Sequence, residues 1–119
     1  MAVLRLFLIA VLALALAACS KPLPSDRLNY VGVWQDANTN VYLRITRDGK
    51  VQYKRDQGGT TASIDAPLKT FHGNNFEVGL WIVTTVFQVS EAPHEVFGKW
   101  KMVVDGVELT RTDDLSTPK

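Results

Sequence analysis

Val41-Tyr42-Leu43-Arg44-Ile45-Thr46-Arg47-Asp48-Gly49-Lys50-Val51-Gln52-Tyr53-Lys54 alternates apolar and polar side chains on both sides of an Asp-Gly turn. Alternation with period two is the signature of a half-buried β-strand. The register of the pairing follows from the apolar set. A two-residue turn would set Ile45 opposite Gln52 and Leu43 opposite Lys54, mixing polar and apolar groups on one face. A three-residue loop, Arg47-Asp48-Gly49 with Gly49 left-handed, pairs Ile45 with Val51 and Leu43 with Tyr53. One face is then continuously apolar, and Tyr42, Arg44, Gln52 and Lys54 share the wet face. The sequence therefore predicts a type I turn with a G1 bulge here.

A second hairpin gives the other loop length. A two-residue Asp105-Gly106 turn pairs Val104 with Val107, Met102 with Leu109 and Trp100 with Arg111. Lys99, Lys101, Val103, Glu108 and Thr110 fall on the opposite face. Arg111 thus lands on the core face beside Trp100, and an indole ring is a favourable partner for a buried guanidinium.

Working outward, period-two alternation, β-branched residues and Gly/Asp/Asn punctuation continue through the domain, and no stretch of it shows helical periodicity. Candidate strands lie at about 30–35, 40–46, 50–56, 60–66, 75–79, 81–89, 96–104 and 107–112, roughly eight in all. The expected fold is all-β, an antiparallel meander of about eight short strands forming a small barrel or barrel-like sandwich. Within the expected strand 81–89, Trp81, Val83, Phe87 and Val89 share one face, and Leu80, Ile82 and Val86 point to the other. That second face is apolar as well. Two readings fit it: a strand covered on both sides, with apolar residues scattered singly, or a partner-binding or homodimer patch.

Residues 1–18 belong to a different class of structure. Arg5 and the starting amine give a small positive region, and residues 6–18 carry no charge. Thirteen residues at 1.5 Å rise span about 20 Å, short of a bilayer core of roughly 30 Å. The block reads as an export signal rather than a membrane span. Without residues 1–18 the chain is Cys19 to Lys119. Its basic count falls by Arg5 to match the 12 acidic side chains. A neutral domain of this size argues against nucleic-acid binding. Cys19 is the only cysteine, so no internal disulfide forms. Residues 19–28, with two prolines and mostly polar side chains, read as an extended tether with a reach of roughly 25–30 Å. The β domain is expected over residues 29–112, followed by a polar tail at 113–119.

Sites for chemistry are sparse. His72 and His94 are the only histidines and are well separated in the chain, so no metal site is expected. Asp36, Asn38 and Asn40 copy the start of a calcium loop. Val41 and Arg47 then stand where glycine and glutamate belong, and Asx-turns explain the three residues better. No serine lies in a Gly-x-Ser-x-Gly elbow. Gly58-Gly59-Thr60-Thr61 has no P-loop lysine after it and reads as a turn. Asp113 and Asp114 adjoin in a polar tail. Neither a catalytic set nor a cofactor is expected. Arg44, Arg47, Lys50 and Lys54 form a basic hairpin face, either solvated or facing lipid headgroups or a polyanionic surface polymer.

Two resemblances add to this. Leu16-Ala17-Ala18-Cys19 after the apolar run resembles the lipobox of bacterial lipoproteins. That resemblance implies cleavage before Cys19, a diacylglyceryl group on its thiol and an acylated new amine, hence attachment to a membrane. Ser20, in place of aspartate, implies the outer membrane of the cell envelope, with the protein on its periplasmic face. The alternative is an ordinary export signal with an incidental Cys19. Gly32-Val33-Trp34 at the first strand and Arg111 at the last resemble a lipocalin-like, calycin-type barrel. In that family an Arg or Lys packs across the tryptophan and closes one end. The domain is shorter than a usual lipocalin and shows no C-terminal helix. Two functional expectations follow. The first is a lipid-anchored, non-catalytic interaction module that meets an envelope protein or surface polymer through Leu80, Ile82 and Val86 or through Arg44 and Lys54. The second is a carrier holding a small apolar ligand within the barrel against Trp34, Trp81, Phe87, Trp100 and Met102, with Arg111 at its closed end; the same residues also suit a plain core.

Overall fold

The register inferred for the Arg47-Asp48-Gly49 hairpin is the one formed. In the computed structural model, which describes residues 21–116, β2 (Val41–Ile45) pairs with β3 (Lys50–Gln57), Leu43 opposite Tyr53 and Ile45 opposite Val51. Gly49 is left-handed at φ 87°, and its N–H donates to the Thr46 carbonyl at 3.1 Å. The second hairpin, β8 (Lys99–Val104) and β9 (Val107–Asp113), likewise pairs Val104 with Val107 and Met102 with Leu109. Asp105 and Gly106 both have positive φ, at 48° and 79°, as a primed two-residue turn needs.

The remaining strands are β1 (Gly32–Gln35), β4 (Thr60–His72), β5 (Asn75–Leu80), β6 (Val83–Phe87) and β7 (Val89–Val96). All neighbours are antiparallel, in the order β6-β5-β4-β3-β2-β1-β9-β8-β7. The protein is all-β, a curled meander forming a half-barrel. The two edge strands, β6 and β7, are consecutive in the chain and separated by Gln88 alone. The chain therefore steps from one edge of the curled sheet to the other within one residue. Side chains hold that step: the Val89 N–H donates to Asn75 Oδ1 at 2.7 Å, and the Gln88 N–H to Asp105 Oδ1 at 2.9 Å.

The main departures from the sequence expectation have identifiable reasons. β4 runs on to His72, because it changes partner: Thr60 to Pro67 pair with β3, and Leu68 to His72 pair with β5. Pro67 sits at the changeover, with a register shift just beyond it. The sheet bends there without losing a ladder hydrogen bond that proline could not donate. A ninth strand, β7 (Val89–Val96), forms where none is expected, passing through Pro93, which an edge strand tolerates. The expected strand 96–104 begins only at Lys99, because Phe97 and Gly98, both with positive φ, make the turn between β7 and β8. The expected strand 81–89 begins only at Val83. Leu80 pairs with Val83, so Trp81 and Ile82 are the two turn residues of the β5–β6 hairpin. Finally, residues 21–28 are not a free tether. Leu23 is buried and its N–H donates to the Arg47 carbonyl at 3.1 Å, and Ser25–Tyr30 form a 3₁₀ helix. An apolar side chain with a cleft to fill outweighs the extended preference of the flanking prolines.

The core holds one row of aromatic rings. Tyr30 meets Phe71 and Phe76 edge-on at centroid distances of 5.0 and 6.1 Å. Phe76 stacks on Phe87 at 5.0 Å, and Phe87 meets Tyr53 at 5.0 Å. Trp34, Leu43, Ile45, Val51, Met102 and Leu109 are fully buried around them. Burial of the Tyr30 ring pushes its phenol pKa up, against the opposing pull of Arg27, and its hydroxyl donates to the Asn74 carbonyl at 2.9 Å.

Candidate functional site

Among the described residues, the exposed large apolar side chains gather at the β5–β6 turn; the other one, Phe97, stands alone at the β7–β8 turn. Leu80, Trp81, Ile82, Val83 and Val86 are all exposed, Trp81 at 84% and Ile82 at 95%. Single exposed apolar side chains are common, but a contiguous cluster marks an interaction site. The backbone beneath is unusual too. Trp81 has φ 55°, whereas Ile82 does not share the positive φ, so only the first central residue is left-handed. Glycine is the usual choice at that position. The neighbouring β4–β5 turn obeys the rule, with Gly73 at φ 62°. A tryptophan held left-handed costs on the order of 1–3 kcal/mol, a cost that recurs at binding sites.

Two features hold the turn in this shape. Gly79 lies so close to the facing strand that a Cβ would stand 2.1 Å from the Val83 carbonyl oxygen. Lys69, at the irregularity in β4, donates its ammonium to the Trp81 carbonyl at 2.6 Å. Beneath the turn, Ile64, Ala66, Val78, Leu80, Trp81 and Val83 line an open, mostly apolar groove of about 440 Å³.

The other candidates fall in three places. Trp34, Phe87 and Met102 are core residues with their surface fully or almost fully buried. Trp81, expected beside them, is outside at the turn, because the Leu80–Val83 pairing makes it a loop residue. Arg111 stands opposite Trp34 in the β1–β9 ladder, with its guanidinium 6.0 Å from the Trp34 ring centre and 5.2 Å from that of half-buried Trp100. Asp114 adds an ion pair at 3.5 Å. Gly32 makes this stacking fit: a Cβ there would meet Arg111 Cδ at 2.6 Å. The Trp34 indole N–H donates to the Tyr30 carbonyl at 3.0 Å.

Arg44 and Lys54 lie on the outer face of β2–β3, where Tyr42, Gln52, Lys54 and Asp65 border an open groove of about 340 Å³. His72 contacts Glu77 at 3.3 Å on the adjoining strand, and His94 Nδ1 lies 2.8 Å from the Ala92 carbonyl. Asp36 Oδ1 accepts the Val41 N–H at 3.0 Å, which is loop capping. Leu80, Ile82, Val86 and the basic pair were legible from alternation; the contribution of Lys69 was not, because it depends on the bend in β4. Cys19 lies outside the described residues.

At the Arg47-Asp48-Gly49 turn, the Thr46 hydroxyl donates to the Asp48 carboxylate. That bond, ahead of attraction from Lys50 and Arg44 and against a desolvation cost, holds the Asp48 carboxyl below its ordinary pKa. Asp114 is lowered in the same way, chiefly by the Ser116 hydroxyl and N–H. A carboxylate depressed in the folded state contributes stability above its unfolded pKa and loses it as pH falls through the folded value. Asp48→Asn should therefore lower stability slightly at neutral pH and make the decline below about pH 4 shallower, with the share due to Asp114 remaining. Urea midpoints measured across the acid range check this; an acid limb identical to wild type would show that Asp48 does not contribute.

Compared with known proteins, the chain matches no protein-family model, no characterised protein sequence and no solved structure.

Proposed function

We propose that the protein is a lipid-anchored component of a bacterial cell envelope whose β domain is a non-catalytic interaction module. The observation that carries the interaction role is the exposed apolar turn at residues 80–83, built on a left-handed tryptophan. The anchor rests on Leu16-Ala17-Ala18-Cys19 and the uncharged run before it. Ser20 favours the outer membrane. The stacking of Arg111 on Trp34 supports the lipocalin-like resemblance at the level of architecture, which does not by itself assign a task. The carrier reading draws less support, since Phe87 and Met102 are taken up in core packing and Trp81 faces outward.

Cys19→Ala is the direct test. The substitution removes the thiol that would receive lipid. The variant should be released from membranes or accumulate with residues 1–18 attached, seen by fractionation and by mobility of the full chain. A variant that fractionates and migrates like wild type would overturn the anchor.

A further inference from the structure

We propose that the partner of the 80–83 turn is the bilayer itself: Trp81 and Ile82 insert into the membrane interface beside the lipid anchor, giving the domain a second point of attachment. The inference rests on the anchor reading above and names the target of the same surface.

Placement is the first argument. The described chain begins at Lys21, two residues after Cys19, and two residues span at most about 7 Å. Lys21 and Pro22 line a groove together with Leu68, Lys69 and Phe71. Lys69 in turn reaches the Trp81 carbonyl. One lysine side chain therefore links the border of the chain's point of attachment to the apolar turn. Leu23, buried and bonded to the Arg47 carbonyl, prevents the intervening residues from swinging the domain away. Acyl chains on Cys19 would place a membrane next to Trp81.

The chemistry of the turn suits that environment. Residues 80–83 read Leu-Trp-Ile-Val, and Thr84 and Thr85 follow, so the turn itself carries no charged side chain that insertion would desolvate. Tryptophan favours the level of the headgroups. A turn carbonyl removed from water needs a donor, and the Lys69 ammonium supplies it. Its aliphatic stem can lie along the apolar surface while the charge stays among phosphates. Lys21 and Arg27 border the same groove against the single carboxylate of Asp26, leaving a positive rim that suits anionic lipid. A second copy of the chain would draw on the free edge of β6. The apolar side chains cluster at the turn instead, and Thr84 and Thr85 interrupt them along the strand.

The test uses the full processed chain, reconstituted in phosphatidylethanolamine and phosphatidylglycerol vesicles carrying lipid brominated on its acyl chains. Trp81 emission should shift to the blue and be lost to quenching, and Trp81→Phe should remove that quenchable component while leaving the emission of Trp34 and Trp100. Equal quenching in wild type and Trp81→Phe overturns the inference. So does a blue shift that depends on protein concentration, resists bromolipid and accompanies crosslinked pairs, which would assign the turn to a second copy. The mass of the N-terminal peptide separates the two readings. An acylated Cys19 with unquenched Trp81 defeats the insertion alone; an unmodified Cys19 defeats the anchor, and Trp81 quenching still decides whether the turn inserts.

Discussion

Trp34→Ala is expected to lower the unfolding free energy by about 3–5 kcal/mol, the range for truncating a large buried aromatic side chain. Three losses combine at this position. The ring is fully buried, so its removal leaves a cavity among close-packed neighbours. The Tyr30 carbonyl loses the indole N–H at 3.0 Å and is left in an apolar setting. Arg111 loses one of the two rings over which its guanidinium lies, while its ion pair to half-exposed Asp114 offers only a screened replacement. A domain of this size has roughly 5–15 kcal/mol in all, so a large part of the stability goes with one side chain. The midpoint temperature should fall by on the order of 15–30 °C, followed by circular dichroism on heating. Trp34→Phe keeps most of the volume and should cost distinctly less. If alanine costs under about 1 kcal/mol, the ring is not a principal element of the core.

The same site shows what alternation can and cannot reveal. Counting residues from the Asp105-Gly106 turn puts Arg111 on the core face, and that follows from period two and turn chemistry, which are local properties. Trp34 is marked instead by the resemblance of Gly32-Val33-Trp34 to the opening of a lipocalin-like barrel, not by periodicity. The reason for Gly32 is not local. A Cβ would meet Arg111, a residue 79 positions away. Strand ends are legible at the Asp-Gly turns, Gly49 and Gly106, but not at Phe97-Gly98, which the expected strand 96–104 runs through, nor where proline stands inside a strand. Pro67 and Pro93 would ordinarily end a run, yet one lies where a strand changes partners and the other on a sheet edge. The alternation of residues 81–89 places Trp81 in the interior, since it does not show that the chain reverses at residues 81 and 82. A turn lacking glycine, asparagine or aspartate carries no signal of itself. The apolar character of Leu80, Ile82 and Val86 was visible; the projection of the turn and its Lys69 support depend on the bend in β4.

The largest local effect is expected at Gly79. Gly79→Ala adds a Cβ that would stand 2.1 Å from the Val83 carbonyl oxygen and 2.7 Å from Thr84 Cα. Both obstacles are backbone, so no side chain can move aside. The φ of 150° is itself one that residues with a Cβ rarely adopt. The two strands must separate, and the pairs Gly79–Thr84 and Leu80–Val83, which close the hairpin, are the first to be lost. A penalty of about 1–3 kcal/mol or more follows from the backbone alone, with the contact added to it. Because β6 is an edge strand, the damage should concentrate there and spread less to β1, β2 and β9. Hydrogen exchange should show the β6 amides losing protection while those of β2 keep theirs. Gly58→Ala is the control: its φ is 58°, but a Cβ meets nothing within 4 Å, so it incurs backbone strain without a clash. If Gly79→Ala leaves β6 as protected as Gly58→Ala does, the close approach of the hairpin arms is not what holds the turn. If β6 alone opens, Trp81 loses its fixed position and the Lys69 contact, and the membrane quenching of Trp81 should weaken even though the indole is still present. That pairing of results separates the shape of the turn from its composition, since Leu80, Trp81, Ile82 and Val83 are unchanged in the variant.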